Sequence, residues 1–259
     1  MINRINELFE RKNRNILSVF FTAGYPQLND TPTILGLLEQ HGADMAEIGM
    51  PFSDPTADGP VIQHSSDIAL KNGMSVEKLF SQLKDIRHRV KMPLILMGYF
   101  NPVLQFGVES FCKKCSEIGI DGVILPDLPL DEYNVRYRRY FEENNLHLIL
   151  LVTPQTSGER IREIDRQSKG FIYMVSSSST TGSDKKAEEF HTVYFKRIEN
   201  MELKNPRLIG FGISDKAGFE SACRYANGAI VGSAFIRALG QSKPLDEIVK
   251  EFIGSLKNL

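Results

Sequence analysis

Tryptophan is absent from the 259 residues, cysteine occurs three times and histidine five, and neither sign of charge prevails: 31 Lys and Arg face 32 Asp and Glu, a formal net charge of -1. Three cysteines, an odd number, fit a reduced compartment better than a disulfide framework. The balanced charge supplies no global basic field, so nucleic acid and anionic membrane surfaces are not expected partners. No stretch reaches the roughly 20 apolar residues that a membrane-spanning helix needs. The opening segment MINRINELFERKNRN is too charged for the apolar region of a signal peptide, and a cytoplasmic location is expected. What is present, 42% hydrophobic and 24% charged residues, is the composition of a globular chain able to bury a large core without disulfide or metal staples.

The scarce metal-ligating residues are also poorly placed. His41, His64, His88, His147 and His191 are scattered without ligand spacing. Cys112 and Cys115 form a C-x-x-C within ESFCKKCSEIGI, but this segment has helical periodicity with Phe111, Cys115 and Ile118 on one face. No second pair completes a metal set. The core reading is preferred, and no metal site is expected.

Eight short apolar, β-branched runs recur along the chain: Ile16 to Phe21, Met45 to Ile48, Pro93 to Gly98, Gly122 to Leu125, Leu146 to Val152, Phe171 to Val175, Arg207 to Phe211 and Ala229 to Val231. Turn residues and a helix-period stretch follow in alternation, the pattern of a parallel sheet wrapped by helices. Eight strand-helix units over about 250 residues is the count of a (β/α)8 TIM barrel. An open doubly wound sheet is the alternative, since period alone does not show closure. No linker divides the chain, so residues 1–259 are expected to form a single barrel domain. Arg4 to Asn13 reads as an extra N-terminal helix, and Ala234 to Leu239 as a short extra helix after strand eight.

The two longest non-periodic stretches, GMPFSDPTADGP and SSSSTTGSDKK, each follow a strand, and in a barrel such loops gather on the face that carries the chemistry. Glu47 lies inside the otherwise apolar strand MAEIGM. An ion pair or a solvent-facing strand end would explain it equally well in isolation. Asp58, eleven residues on, returns over the same mouth, and two carboxylates in one apolar pocket can divide acid and base roles by environment. Gly212 ends strand seven, and Gly232 with Ser233 ends strand eight, the ordinal positions of the recurring barrel phosphate site. Ordinary turn glycines are the competing explanation. The serine-rich run, from Ser176 on, suits a lid as well as a solvated loop, and Gly182 can join the phosphate site if that loop folds inward.

The segment GMPFSDPTADGPVIQ, with Glu47 just upstream, resembles the signature of the tryptophan synthase alpha subunit family. The resemblance runs on through FFTAGYP, GYFNPV, LPDLP, GFIYMVS, GFGIS and VGSA in the family's order. It implies a barrel that cleaves indole-3-glycerol phosphate to indole and glyceraldehyde 3-phosphate in tryptophan biosynthesis. It also implies no cofactor in this chain, with pyridoxal phosphate confined to a beta subunit partner in an αββα complex. By the same resemblance Glu47 and Asp58 are the catalytic carboxylates and Tyr173 stands beside the glutamate. Phe20, Ile62, Met97, Ile124 and Phe211 are expected to wall the indole, and Thr181 to contact the substrate. Gly182, Gly212, Gly232 and Ser233 would receive the phosphate, and the loops bearing Asp54 and Asn101 would dock on the beta subunit. One departure is visible: Ser177 and Ser179 stand where a commoner form of the family has an arginine and a glycine. Another phosphate-binding barrel enzyme, a lyase working alone, or a catalytically silent regulatory barrel are the alternatives, and the presence of both Glu47 and Asp58 argues against the last.

Overall fold

A computed structural model describes residues 2–176, 185–210 and 212–257, with backbone alone for 185–191. The described strands are β1 (Ile16–Thr22), β2 (Met45–Gly49), β3 (Leu94–Met97), β4 (Gly122–Ile124), β5 (His147–Leu148), β6 (Leu150–Val152), β7 (Ile172–Val175), β8 (Arg207–Gly210) and β9 (Gly228–Val231). They form one sheet in the order β5-β4-β3-β2-β1-β9-β8-β7-β6, and the paired strands run parallel. Only Ile149 separates β5 from β6, and its N–H donates to the Val123 carbonyl at 2.9 Å. The two ends of the sheet are therefore one chain segment, and the barrel closes. This answers the question that periodicity left open: the eight expected runs occupy eight barrel positions, and an open sheet is ruled out.

Burial explains why these runs are strands. All seven residues of β1, ILSVFFT, and all five of β2, MAEIG, are buried, because a barrel strand faces the interior on one side and the helices on the other. Around the sheet lie α1 (Arg4–Arg11), α2 (Thr31–Gln40), α3 (Pro60–Lys71), α4 (Val76–Leu83), α5 (Phe100–Phe106), α6 (Val108–Ile118), α7 (Leu130–Glu132), α8 (Arg138–Glu143), α9 (Gly158–Gln167), α10 (Lys185–Glu199), α11 (Lys216–Tyr225), α12 (Ser233–Leu239) and α13 (Leu245–Lys257). A π turn over Tyr133–Tyr137 joins α7 to α8, so Leu130 to Glu143 form one helical body with an extra residue in its winding. The helix α4 stops at Leu83, and a 3-10 turn at Ile86–His88 follows.

The helix α1 closes the N-terminal end of the barrel. Ile5 and Leu8 are buried, and the Asn3 side chain accepts from the Ile5 N–H while its Nδ2 donates to the carbonyls of Asp121 and Asn145 at 2.8 and 2.9 Å. Cys112 and Cys115 are both fully buried on the inner side of α6. Burial pushes the Cys112 thiol up to about 12 and Cys115 well above its ordinary value, so both behave as core residues. Among the described residues no three His, Cys, Asp or Glu gather in a metal-holding group, and no helix is long and apolar enough to cross a membrane.

Candidate active site

With α1 closing one end, the C-terminal ends of the strands open on a cavity of about 520 Å³. Its apolar wall includes Phe20, Ile62 and Met97, and Asp58 reaches it from the loop after β2. Thr153 and Gln155, from the segment after β6, add polar lining. A volume of this size holds a small organic molecule.

Glu47 is fully buried. Register places it opposite Phe20 on β1 and Ile95 on β3, and it lies behind the open wall rather than on it. Ser18 Oγ donates to Glu47 Oε1 at 2.9 Å, and Oε2 finds no hydrogen-bond partner among the described residues. Burial raises the carboxyl to about 8, the Ser18 hydrogen bond opposing the rise. A charged carboxylate with one bare oxygen is strongly disfavoured in a dry interior. At neutral pH the group therefore holds a proton and stands close to releasing it, the condition for acid-base work.

Tyr173, the second residue of β7, is buried too, and its hydroxyl is raised well above its ordinary value by burial and then by the field of Glu47. The neighbouring strand makes room for it: a Cβ built at Gly210 falls 2.1 Å from the Tyr173 hydroxyl, so any larger residue there displaces the ring. Asp58 is held differently. Burial raises its carboxyl and a hydrogen bond with Tyr99 restrains the rise, while the Ala57 N–H donates to the Tyr99 hydroxyl at 2.9 Å and Gln63 Nε2 donates to the Asp58 carbonyl at 2.8 Å. The loop is thus tied to the segment that follows β3 on one side and to α3 on the other.

The structure gathers Phe20, Asp58, Ile62 and Met97 at the cavity, with Glu47 and Tyr173 buried together in the barrel. Ile124 is buried and does not line the cavity. Gly212, with φ of 75°, lies where a Cβ would stand 4.0 Å from Ser176 Oγ, and a Cβ at Gly232 would stand 3.1 Å from Phe20. Both glycines therefore adjoin residues of the cavity wall, and Ser233 opens α12 next to the second. Asp54 and Asn101 are exposed. Ser177, Ser179, Thr181, Gly182 and Phe211, and with them residues 177–184 of the expected lid, lie outside the described residues.

Two residues of this arrangement were not singled out in the sequence. Ser18 sits in an apolar run where it reads as a neutral strand residue, and only the register of β1 against β2 reveals its bond to Glu47. Tyr99 lies in GYFNPV. A polar residue directly after a strand end was the available signal.

A closed parallel barrel with a proton-holding carboxyl beneath a small-molecule cavity at its C-terminal mouth defines an enzyme of the (β/α)8 class. Comparison with known proteins narrows this. The Tryptophan synthase alpha chain family matches residues 7–257, and the chain belongs to that family. The tryptophan synthase alpha chain of Flavobacterium johnsoniae is 56% identical over 256 residues, which are 99% of this chain and 100% of the relative. That of Bacteroides fragilis is 54% identical over 242 residues, 93% of this chain and 92% of the relative. Among solved structures, the tryptophan synthase alpha subunit of Legionella pneumophila superposes with a TM-score of 0.89 at 30% identity, covering 100% of this chain and 98% of that one. Membership makes the chain an enzyme subunit of tryptophan biosynthesis.

Proposed function

We propose that the chain cleaves indole-3-glycerol phosphate to indole and glyceraldehyde 3-phosphate, with Glu47 moving the protons and Asp58 stabilising the charged intermediate. The observation that carries this reading is the buried Glu47 carboxyl, raised to about 8 with one oxygen unpartnered, behind a cavity walled by Phe20, Ile62 and Met97. Carbon-carbon cleavage at the indole ring needs a proton on C3, which makes the ring an electron sink. Glu47 gives that proton. The bond from C3 to the glycerol chain then breaks, its electron pair returns to the ring, and the adjacent chain hydroxyl gives its proton to the Glu47 carboxylate as the aldehyde forms. The glutamate ends as it began, so proton transfer by the chain's own side chains suffices and no cofactor of its own is required.

The protonated ring is a cation. A positive charge next to Asp58 favours its ionised form against the upward push of burial, and Tyr99 holds it in place. The apolar wall takes the indole, and the phosphate is assigned to the backbone N–H groups near Gly212, Gly232 and Ser233, with Gly182 completing the set. Tyr173, Phe211 and Thr181 are assigned to the substrate's surroundings, and Ile124, which lies off the cavity wall, to the barrel interior behind it. We assign a cytoplasmic location and a tryptophan synthase beta subunit as partner, which carries pyridoxal phosphate. A solved relative from Mycobacterium tuberculosis, 29% identical with a TM-score of 0.85, is a tryptophan synthase, in keeping with that assembly.

The test is release of indole from indole-3-glycerol phosphate by the full chain, alone and with the beta subunit. The wild type is expected to release indole and Glu47→Gln to lose the activity by a factor of about 10² to 10⁴, the usual effect of removing a general acid-base group. Near wild-type turnover in Glu47→Gln would remove this residue from the mechanism.

A further inference from the structure

The two oxygens of the Glu47 carboxyl are not equivalent. Oε1 accepts from the Ser18 hydroxyl at 2.9 Å, and Oε2 is buried without a hydrogen-bond partner among the described residues. The carbonyl oxygen is the better acceptor of a neutral carboxylic acid, so a hydroxyl that donates to Oε1 favours the acid proton on Oε2. We propose that Ser18 is a positioning residue for the proton transfer: its hydroxyl fixes Oε1 and thereby makes Oε2 the atom that carries and exchanges the proton. This rests on the acid-base reading of Glu47 given above.

The surroundings leave the task to Ser18. The strands paired with β2 are β1 and β3, and neither ILSVFFT nor LILM carries a charged residue. Among the described residues, Tyr173 is a titratable group that faces Glu47 from across the barrel, and its hydroxyl is held neutral by burial. Ser18, Phe20 and Thr22 alternate along β1 and share its inward side, and Phe20 and Thr22 both line the cavity. Ser18 therefore occupies the layer below the cavity wall. A hydroxyl there is expensive to bury without a partner, and the carboxyl supplies one. Its donated hydrogen bond is also the one that restrains the upward shift of Glu47.

The experiment compares wild type with Ser18→Ala, and Ser18→Thr with Ser18→Val, a pair of equal size that differs in the hydroxyl. Indole release by the full chain with beta subunit is followed from pH 6 to 10, and the Glu47 carboxyl is titrated directly by infrared difference against Glu47→Gln. Loss of the donor is expected to lower kcat about 10-fold, as for a hydrogen bond to an ionisable group. It is also expected to move the carboxyl titration and the alkaline limb of kcat/KM upward by about one pH unit. Ser18→Thr is expected to restore both against Ser18→Val. An unchanged or faster Ser18→Ala enzyme, a titration that stays in place, or a threonine no better than valine would overturn the assignment. The infrared titration does not require turnover, so a wild type that releases no indole would sink the proposed reaction while the link between Ser18 and Glu47 is still read.

Discussion

At the scale of the single residue, the site trades stability for a usable proton, and the trade has a direction in pH. The Glu47 carboxyl rises from its ordinary 4.5 to about 8 on folding. Between those values the unfolded chain has released the proton that the folded chain keeps, so stability falls as pH rises through this window and is fully present below it. Glu47→Gln has no such proton. It is expected to melt above the wild type, with a gap that widens from pH 5 to 8 by roughly 3–4 kcal/mol. Thermal melts across that range check this, and a gap that stays constant would mean that the folded carboxyl titrates near its ordinary value. Asp58 makes the complementary prediction. Asp58→Asn keeps contact with a ring N–H but loses the charge, so kcat is expected to fall more than ligand affinity. Weakened binding with unchanged turnover at saturation would show that the carboxylate does not stabilise the intermediate.

At the scale of the element, the closing helix α1 brings its own pH dependence. His147 at the start of β5 is buried, its Nε2 lies 2.6 Å from Asn6 Oδ1, and burial lowers its ordinary 6.5 to about 4. Here the unfolded chain takes up the proton first as pH falls, so stability present above about 6.5 is lost progressively toward 4. His147→Asn is expected to remove roughly 2 kcal/mol of the stability difference between pH 7 and pH 5. Urea midpoints at the two values measure it, and an equal loss in wild type and variant would place the acid sensitivity elsewhere. The sequence made α1 legible through its period, as it did the strands. Two helices escaped it for physical reasons. The fully buried residues of α3 are Ser65, Ser66 and Ala69, small and partly polar, while its large apolar residues Val61, Ile62 and Ile68 are only partly buried, so the apolar residues do not trace its buried face. The seven residues of α5 include Pro102 in the first turn, which reads as loop until the helix is seen to start just before it. Glu47 and Asp58 stood out because each is a carboxylate in a segment that has no other use for one. Ser18 and Tyr99 did not, because their roles depend on register and on which loop returns over which strand.

At the scale of the molecule, closure of the barrel through Ile149 leaves one open end for the chemistry, and its rim is where a partner has leverage. The loop after β2 carries Asp58 into the cavity and Asp54 into solvent. Beside it, α5 begins directly after Tyr99, the residue that holds Asp58. This helix exposes Asn101 and, one turn on, Leu104, nearly half of whose surface is free. The Phe52 and Tyr99 rings, 5.2 Å apart, join the two segments. A beta subunit docked on Asp54 and Asn101 would therefore press on the two segments that position Asp58, and would also keep uncharged indole from diffusing away. Such a partner raises turnover without supplying a catalytic group, since it favours the arrangement the reaction uses. Asp54→Ala leaves the cavity lining intact and is expected to retain the basal indole release of the isolated chain while losing most of the increase produced by a saturating beta subunit. Turnover is measured for both proteins across a titration of the partner. Undiminished binding and activation of Asp54→Ala would mean that the coupling runs through another part of the rim.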